Sequence, residues 1–128
     1  MTREDGTMAI AMTGLVAIVA VLTIAVAALG VLYAARAQAT NAADAAALAA
    51  AVATYPPVAS ASPPMAARRM AQANGARLLG CDCTTDSSLD PRTVTVTAGV
   101  EADVPLFGPV TVRVSSRAEF DPLRWLGR

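Results

Sequence analysis

Histidine is absent from this 128-residue chain, and so is lysine: all ten cations are arginine, balanced by ten acidic residues. Without histidine the commonest general base and metal ligand is missing. Zero net charge leaves no basic footprint for nucleic acid or for polybasic attachment to membranes, so no nucleic-acid partner is expected. Charged residues make up 16% and aromatics 4%, where an ordinary soluble domain has about 25% charged residues. The two cysteines, Cys81 and Cys83, stand in C-x-C spacing. With no second pair and no histidine they cannot complete a four-ligand site, so neither a metal nor another cofactor is expected. In an oxidising exterior an internal bridge, an intermolecular bridge and free buried thiols all remain open to them. No nucleophile and base pair, glycine-rich phosphate loop or carboxylate constellation is visible, which points away from an enzyme. Asp82, Asp86 and Asp90 lack EF-hand spacing and its bidentate glutamate, and read as a solvated turn.

What is present is hydrophobic length. Residues 7–35, TMAIAMTGLVAIVAVLTIAVAALGVLYAA, carry no charge, and about 20 residues suffice to cross a bilayer as a helix. At 1.5 Å per residue the run reaches about 43 Å against roughly 30 Å of hydrocarbon, so it tilts or its ends enter the interface. A secretory signal peptide has a much shorter apolar region. The triplets Ala35-Arg36-Ala37 and Ala37-Gln38-Ala39 nevertheless resemble cleavage sites, which keeps a small secreted module as a third reading. Arg3 and Arg36 flank the run and leave the positive-inside rule undecided. The short leader and the long following segment place the C-terminal module outside the cytoplasm.

Residues 36–54 continue in good helix formers without glycine or proline, so one helix over residues 7–54 is expected. Arg36, Thr40 and Asp44 share a face with Asn41 beside them, and the rest is nearly pure alanine with Leu48 and Val52. Such a smooth rod suits close approach of a neighbouring helix, with Asn41, Asp44 and Leu48 as candidate packing residues. Tyr55-Pro56-Pro57 stops the helix, and residues 55–64 form a proline-rich linker. A short helix over residues 65–73, with Met70 and alanines as its apolar face, ends at Asn74-Gly75.

The exterior module, residues 65–128, then changes period from helical to two. Val94, Val96, Ala98, Val100, Ala102 and Val104 alternate with polar residues, and so do Val110, Val112, Val114, Ala118 and Phe120. A hairpin over residues 105–109 is expected to pair Val104 with Val110 and set Glu101 opposite Arg113. A shorter strand over residues 76–83 precedes it. The fold class is therefore α+β: a long N-terminal transmembrane or pilin-like helix, a short helix and a small three-stranded antiparallel sheet, covered by the short helix or the outer half of the long one. Trp125 is expected to pack rather than serve as a binding hot spot.

Two features resemble the Tad/Flp (tight adherence) pilus family, specifically its TadE/TadG-like minor pilins. One is the charged leader, residues 1–6, ending in Gly6 before the apolar run. The other is Gln38-x-x-Asn41-Ala42-Ala43-Asp44-Ala45-Ala46-Ala47-Leu48-Ala49. The resemblance implies that a prepilin peptidase cuts after Gly6 and frees Thr7 as the new N-terminus. It also implies a structural subunit whose partners are membrane lipid, other pilin subunits and the pilus assembly machinery. Type IV pilins commonly carry glutamate five residues into the mature chain, whereas Ala11 stands there, which favours a minor subunit over a major one. The alternative within the same system is a permanently anchored single-pass assembly or scaffold protein.

Overall fold

The computed structural model describes residues 3–127; Met1 and Thr2 of the expected leader lie outside the described residues. Helix α1, Arg3–Ala53, is 51 residues long, about 76 Å at helical rise. It runs through Gly6 without a break. Thr54 closes its end by donating from its amide and its hydroxyl to the Ala51 carbonyl. Helix α2, Pro63–Ala73, opens two residues earlier than the sequence suggested, because Pro63 and Pro64 occupy its first turn, where a missing N–H removes no helical bond.

Strands β1, Arg77–Asp82, β2, Arg92–Val104, and β3, Gly108–Phe120, form one antiparallel sheet in the order β1-β2-β3. A four-residue helix α3, Pro122–Trp125, follows, capped by the Asp121 carboxylate, which accepts from the amides of Leu123 and Arg124. The expected α+β architecture is the one observed.

The dry face is the alternation read from the sequence: Val94, Val96, Ala98, Val100, Ala102 and Val104 are all buried. Burying each valine contributes about 1.5–3 kcal/mol. Both the outer part of α1 and α2 cover that face. In one half of the core Ala46, Ala47, Ala50 and Ala51 meet Ala67, Ala71, Val94, Val96, Ala118 and Phe120. In the other Ala35, Ala39, Ala42 and Ala43 meet Ala98, Val100 and Ala102. Alanine lets the helix axis lie close to its neighbours, so the smooth surface expected to receive a neighbouring helix receives α2 and the chain's own sheet.

Three expectations need correction. The hairpin register is shifted by two: Val104 pairs with Gly108, Ala102 with Val110, and Glu101 with Thr111 rather than Arg113. Glu101 instead meets Arg77 of β1 at 3.6 Å, an exposed pair of small energetic weight. The inward face of α2 is Pro63, Ala67 and Ala71, with Met70 exposed. Trp125 is 54% exposed on α3, because the buried anchor of that turn is Pro122.

β1 is also irregular. The register slips between Leu78 and Gly80, and Leu79 lies over Gly99, where an added Cβ would stand 2.7 Å from its Cδ1. Gly75, at φ 72, turns the chain from α2 into β1, a conformation that costs other residues about 1 kcal/mol or more.

Candidate functional site

The inner part of α1 is a long apolar surface left exposed among the described residues. From Gly6 to Ala27 every residue is exposed, including Leu15 at 58%, Val19 at 54% and Leu22 at 58%. The helix is long and apolar enough to cross a membrane. Its few polar groups are satisfied internally: the hydroxyls of Thr13 and Thr23 donate to the carbonyls of Ala9 and Val19, each at 2.8 Å. That arrangement is the one hydrocarbon demands. Gly6, Gly14 and Gly30 have open space where a Cβ would stand.

The three candidate packing residues beyond the span separate. Asn41 is exposed, and Leu48 is 63% exposed, so both look away from the sheet. Asp44 is exposed as well, but its carboxylate accepts a hydrogen bond from the Ser116 hydroxyl of β3. A charge-assisted bond of this kind is stronger than a neutral one, so Asp44 ties α1 to the sheet. Gln38 does the same near the end of α2, its amide donating to the carbonyls of Asn74 and Gly75 at 3.3 and 3.4 Å. Gly6 and Thr7 lie within α1, far from these ties. Residues 35–39 form continuous helix with Ala35 and Ala39 buried, so a cut near Ala37 would take Ala35 out of the core while leaving Ala42 to Ala51 in it.

Arg92 organises the opposite end of the head. Its guanidinium donates to the carbonyls of Asp86, Ser88, Asp90 and Thr54 and lies 6.0 Å from the Tyr55 ring centre. The Asp86 amide donates to Thr54 O at 2.8 Å. The backbone amide and hydroxyl of Ser88 both donate to the Asp86 carboxylate and, with Arg92 nearby, hold it below the ordinary carboxylate range. The aspartates of this segment therefore shape a loop, and among the described residues no group of three or more potential ligands could hold a metal ion. Cys81 and Cys83 are joined by a disulfide with Cα atoms 5.4 Å apart. β1 stops at Asp82, and Cys83 leaves the extended geometry that would have spread the pair.

Ser116 and Arg92 did not stand out in the sequence, and Gln38 did so only as the first residue of the motif that carries the family resemblance. Ser116 carried a signal, since it is the polar member of the otherwise apolar row Val110, Val112, Val114, Ala118 and Phe120. Arg92 carried none, because its partners are backbone carbonyls of a loop whose path the sequence does not state.

Among curated proteins and among solved structures, none matches this chain. Residues 6–53, nearly the whole of α1, match the family model described as "Putative Flp pilus-assembly TadE/G-like". Over its long helix this chain is thus similar to the TadE/G-like family of Flp pilus assembly, the match extending over residues 6–53.

Proposed function

We propose that the chain is a non-enzymatic minor subunit of a Tad pilus, inserted in the membrane by α1 with its head outside the cytoplasm, and packed into or at the tip of the filament after cleavage behind Gly6. The observation that carries this reading is the division of α1. Its outer part is committed to the head, whereas residues 6–27 are apolar and exposed among the described residues. Such a surface requires lipid, and on leaving lipid it requires other apolar helices. Arg3, Glu4 and Asp5 oppose passage of the helix through hydrocarbon, so removing them is a sensible condition for extraction. The partners in this reading are a prepilin peptidase, membrane lipid and neighbouring pilin helices.

Mass spectrometry of the mature protein tests it. A chain beginning at Thr7, recovered with sheared surface filaments, is expected, and Gly6→Leu should leave full-length chain in the membrane. A chain beginning at Met1 in cells containing the peptidase would overturn the reading. Ala11, standing where type IV pilins commonly place a glutamate, supports a second reading as a permanently anchored assembly protein. Retention in membranes after shearing would select it.

A further inference from the structure

The apolar run of residues 7–35 exceeds what a bilayer needs, and the head accounts for the surplus. Twenty helical residues cover about 30 Å of hydrocarbon, so the run is about 13 Å too long. Below Ala35 the stripe of α1 beneath the sheet continues: Leu32, Val31 and Ala28 are half-buried. Ile24 is 39% exposed, whereas the other large apolar residues from Met8 to Leu29 are 54–76% exposed. Ile24, Ala28, Val31 and Ala35 recur every three or four residues and so lie on one helix face.

The cover descends the same way. Ala46, Ala47, Ala50 and Ala51 meet Val94 and Val96, whereas Ala35, Ala39, Ala42 and Ala43 meet Ala98, Val100 and Ala102. β2 thus runs down α1 toward the N-terminal half as its numbering rises. From Ala102 the strand advances about 7 Å further to its end at Val104, equivalent to roughly four or five helical residues. That sets the β2–β3 turn, which reaches beyond Val104, alongside the half-buried Val31 and Ala28 of α1.

At this turn Leu106 and Phe107 are 84% and 78% exposed. Pro105, Leu106, Phe107, Gly108 and Pro109 carry no charge, and the two prolines bring no backbone donor to the tip. The Phe107 amide is already bonded to Val104 O at 3.0 Å. Leu106 takes φ 70, a conformation usually left to glycine, and it keeps a large apolar side chain at the apex. The tip is therefore apolar and poor in free donors.

We infer that the β2–β3 turn is a second membrane contact: Leu106 and Phe107 enter the boundary between headgroups and acyl chains, while hydrocarbon surrounds about the first 20 residues of the apolar run and the remainder of the run stands under the sheet. The inference rests on α1 being membrane-inserted. Contact at two points fixes the rotation of the head about α1 before any assembly takes place.

Tryptophan quenching by brominated lipid tests it, on the full chain at one copy per nanodisc so that no second copy can cover the tip. Trp125→Phe removes the sole tryptophan, and Phe107→Trp, Leu15→Trp and Leu89→Trp are placed singly in that background. Phe107→Trp is expected to shift to the blue and to lose emission most with lipid brominated near the top of the acyl chain. Leu15→Trp should lose most with deeply placed bromine, and Leu89→Trp should keep its emission. An unquenched Phe107→Trp beside a quenched Leu15→Trp overturns the second contact alone. An unquenched Leu15→Trp overturns membrane insertion itself, and equal quenching of Leu89→Trp and Phe107→Trp would mean that the head lies flat on the surface, which also overturns it.

Discussion

Leucine in place of Ala47 should lift the sheet from α1 and destabilise the head by about 1–3 kcal/mol, the usual range for overpacking a filled core. Ala39, Ala42, Ala43, Ala46, Ala47 and Ala50 are all 0% exposed, so the distance between helix and strands is set by methyl groups. Three further carbons at Ala47 have nowhere to go. β2 cannot yield locally, because it is paired along both edges. Hydrogen exchange of the β2 amides, followed on the full chain in detergent micelles, should quicken about tenfold for each ~1.4 kcal/mol lost. Ala37→Leu, on the exposed side of the same helix, should change stability by less than about 0.5 kcal/mol. Equal behaviour of the two variants would mean that α1 is not the core of the head.

The second large effect is expected at Arg92. Arg92→Ala removes the donors that gather four carbonyls, those of Asp86, Ser88, Asp90 and Thr54. Bonds to a charged donor contribute about 1.5–3 kcal/mol when well shielded. Here water can replace part of the set, so a loss of about 2 kcal/mol is expected overall. The Asp86 amide, bonded to Thr54 O, should lose its exchange protection first, and with it the tie between residues 84–91 and the end of α1. Lysine should restore little, since a point charge cannot reproduce the planar fork. Full recovery in Arg92→Lys would show that charge alone suffices.

How far the sequence was legible depended on contrast. In β2 strict alternation of valine or alanine with polar residues named the dry face residue by residue. The pairing was misplaced by two because Leu106 adopts a left-handed conformation that no turn-forming residue announces. A shift of two leaves every side chain on its own face, so the faces were right while the partners were wrong. In α1 contrast was lacking. A nearly pure alanine stripe serves a strand of the same chain and a helix of another equally well, and only the fold shows that Ala35 to Ala51 are occupied by the sheet and α2. The tie that Asp44 makes was not legible because its partner, Ser116, lies 72 residues away in sequence.

The central claim is that one helix has two solvents: hydrocarbon or sister helices around its inner part, and the chain's own sheet against its outer part. Cysteine scanning with a membrane-impermeant maleimide in intact cells tests it most directly, the native thiols being held in the disulfide between Cys81 and Cys83. Leu15→Cys, Val19→Cys and Leu22→Cys should stay unlabelled, while Leu48→Cys, 63% exposed at the parent residue, should label readily. Labelling of the three inner positions as fast as Leu48→Cys would contradict it, because a water-facing inner helix could neither sit in lipid nor join a helical fibre core.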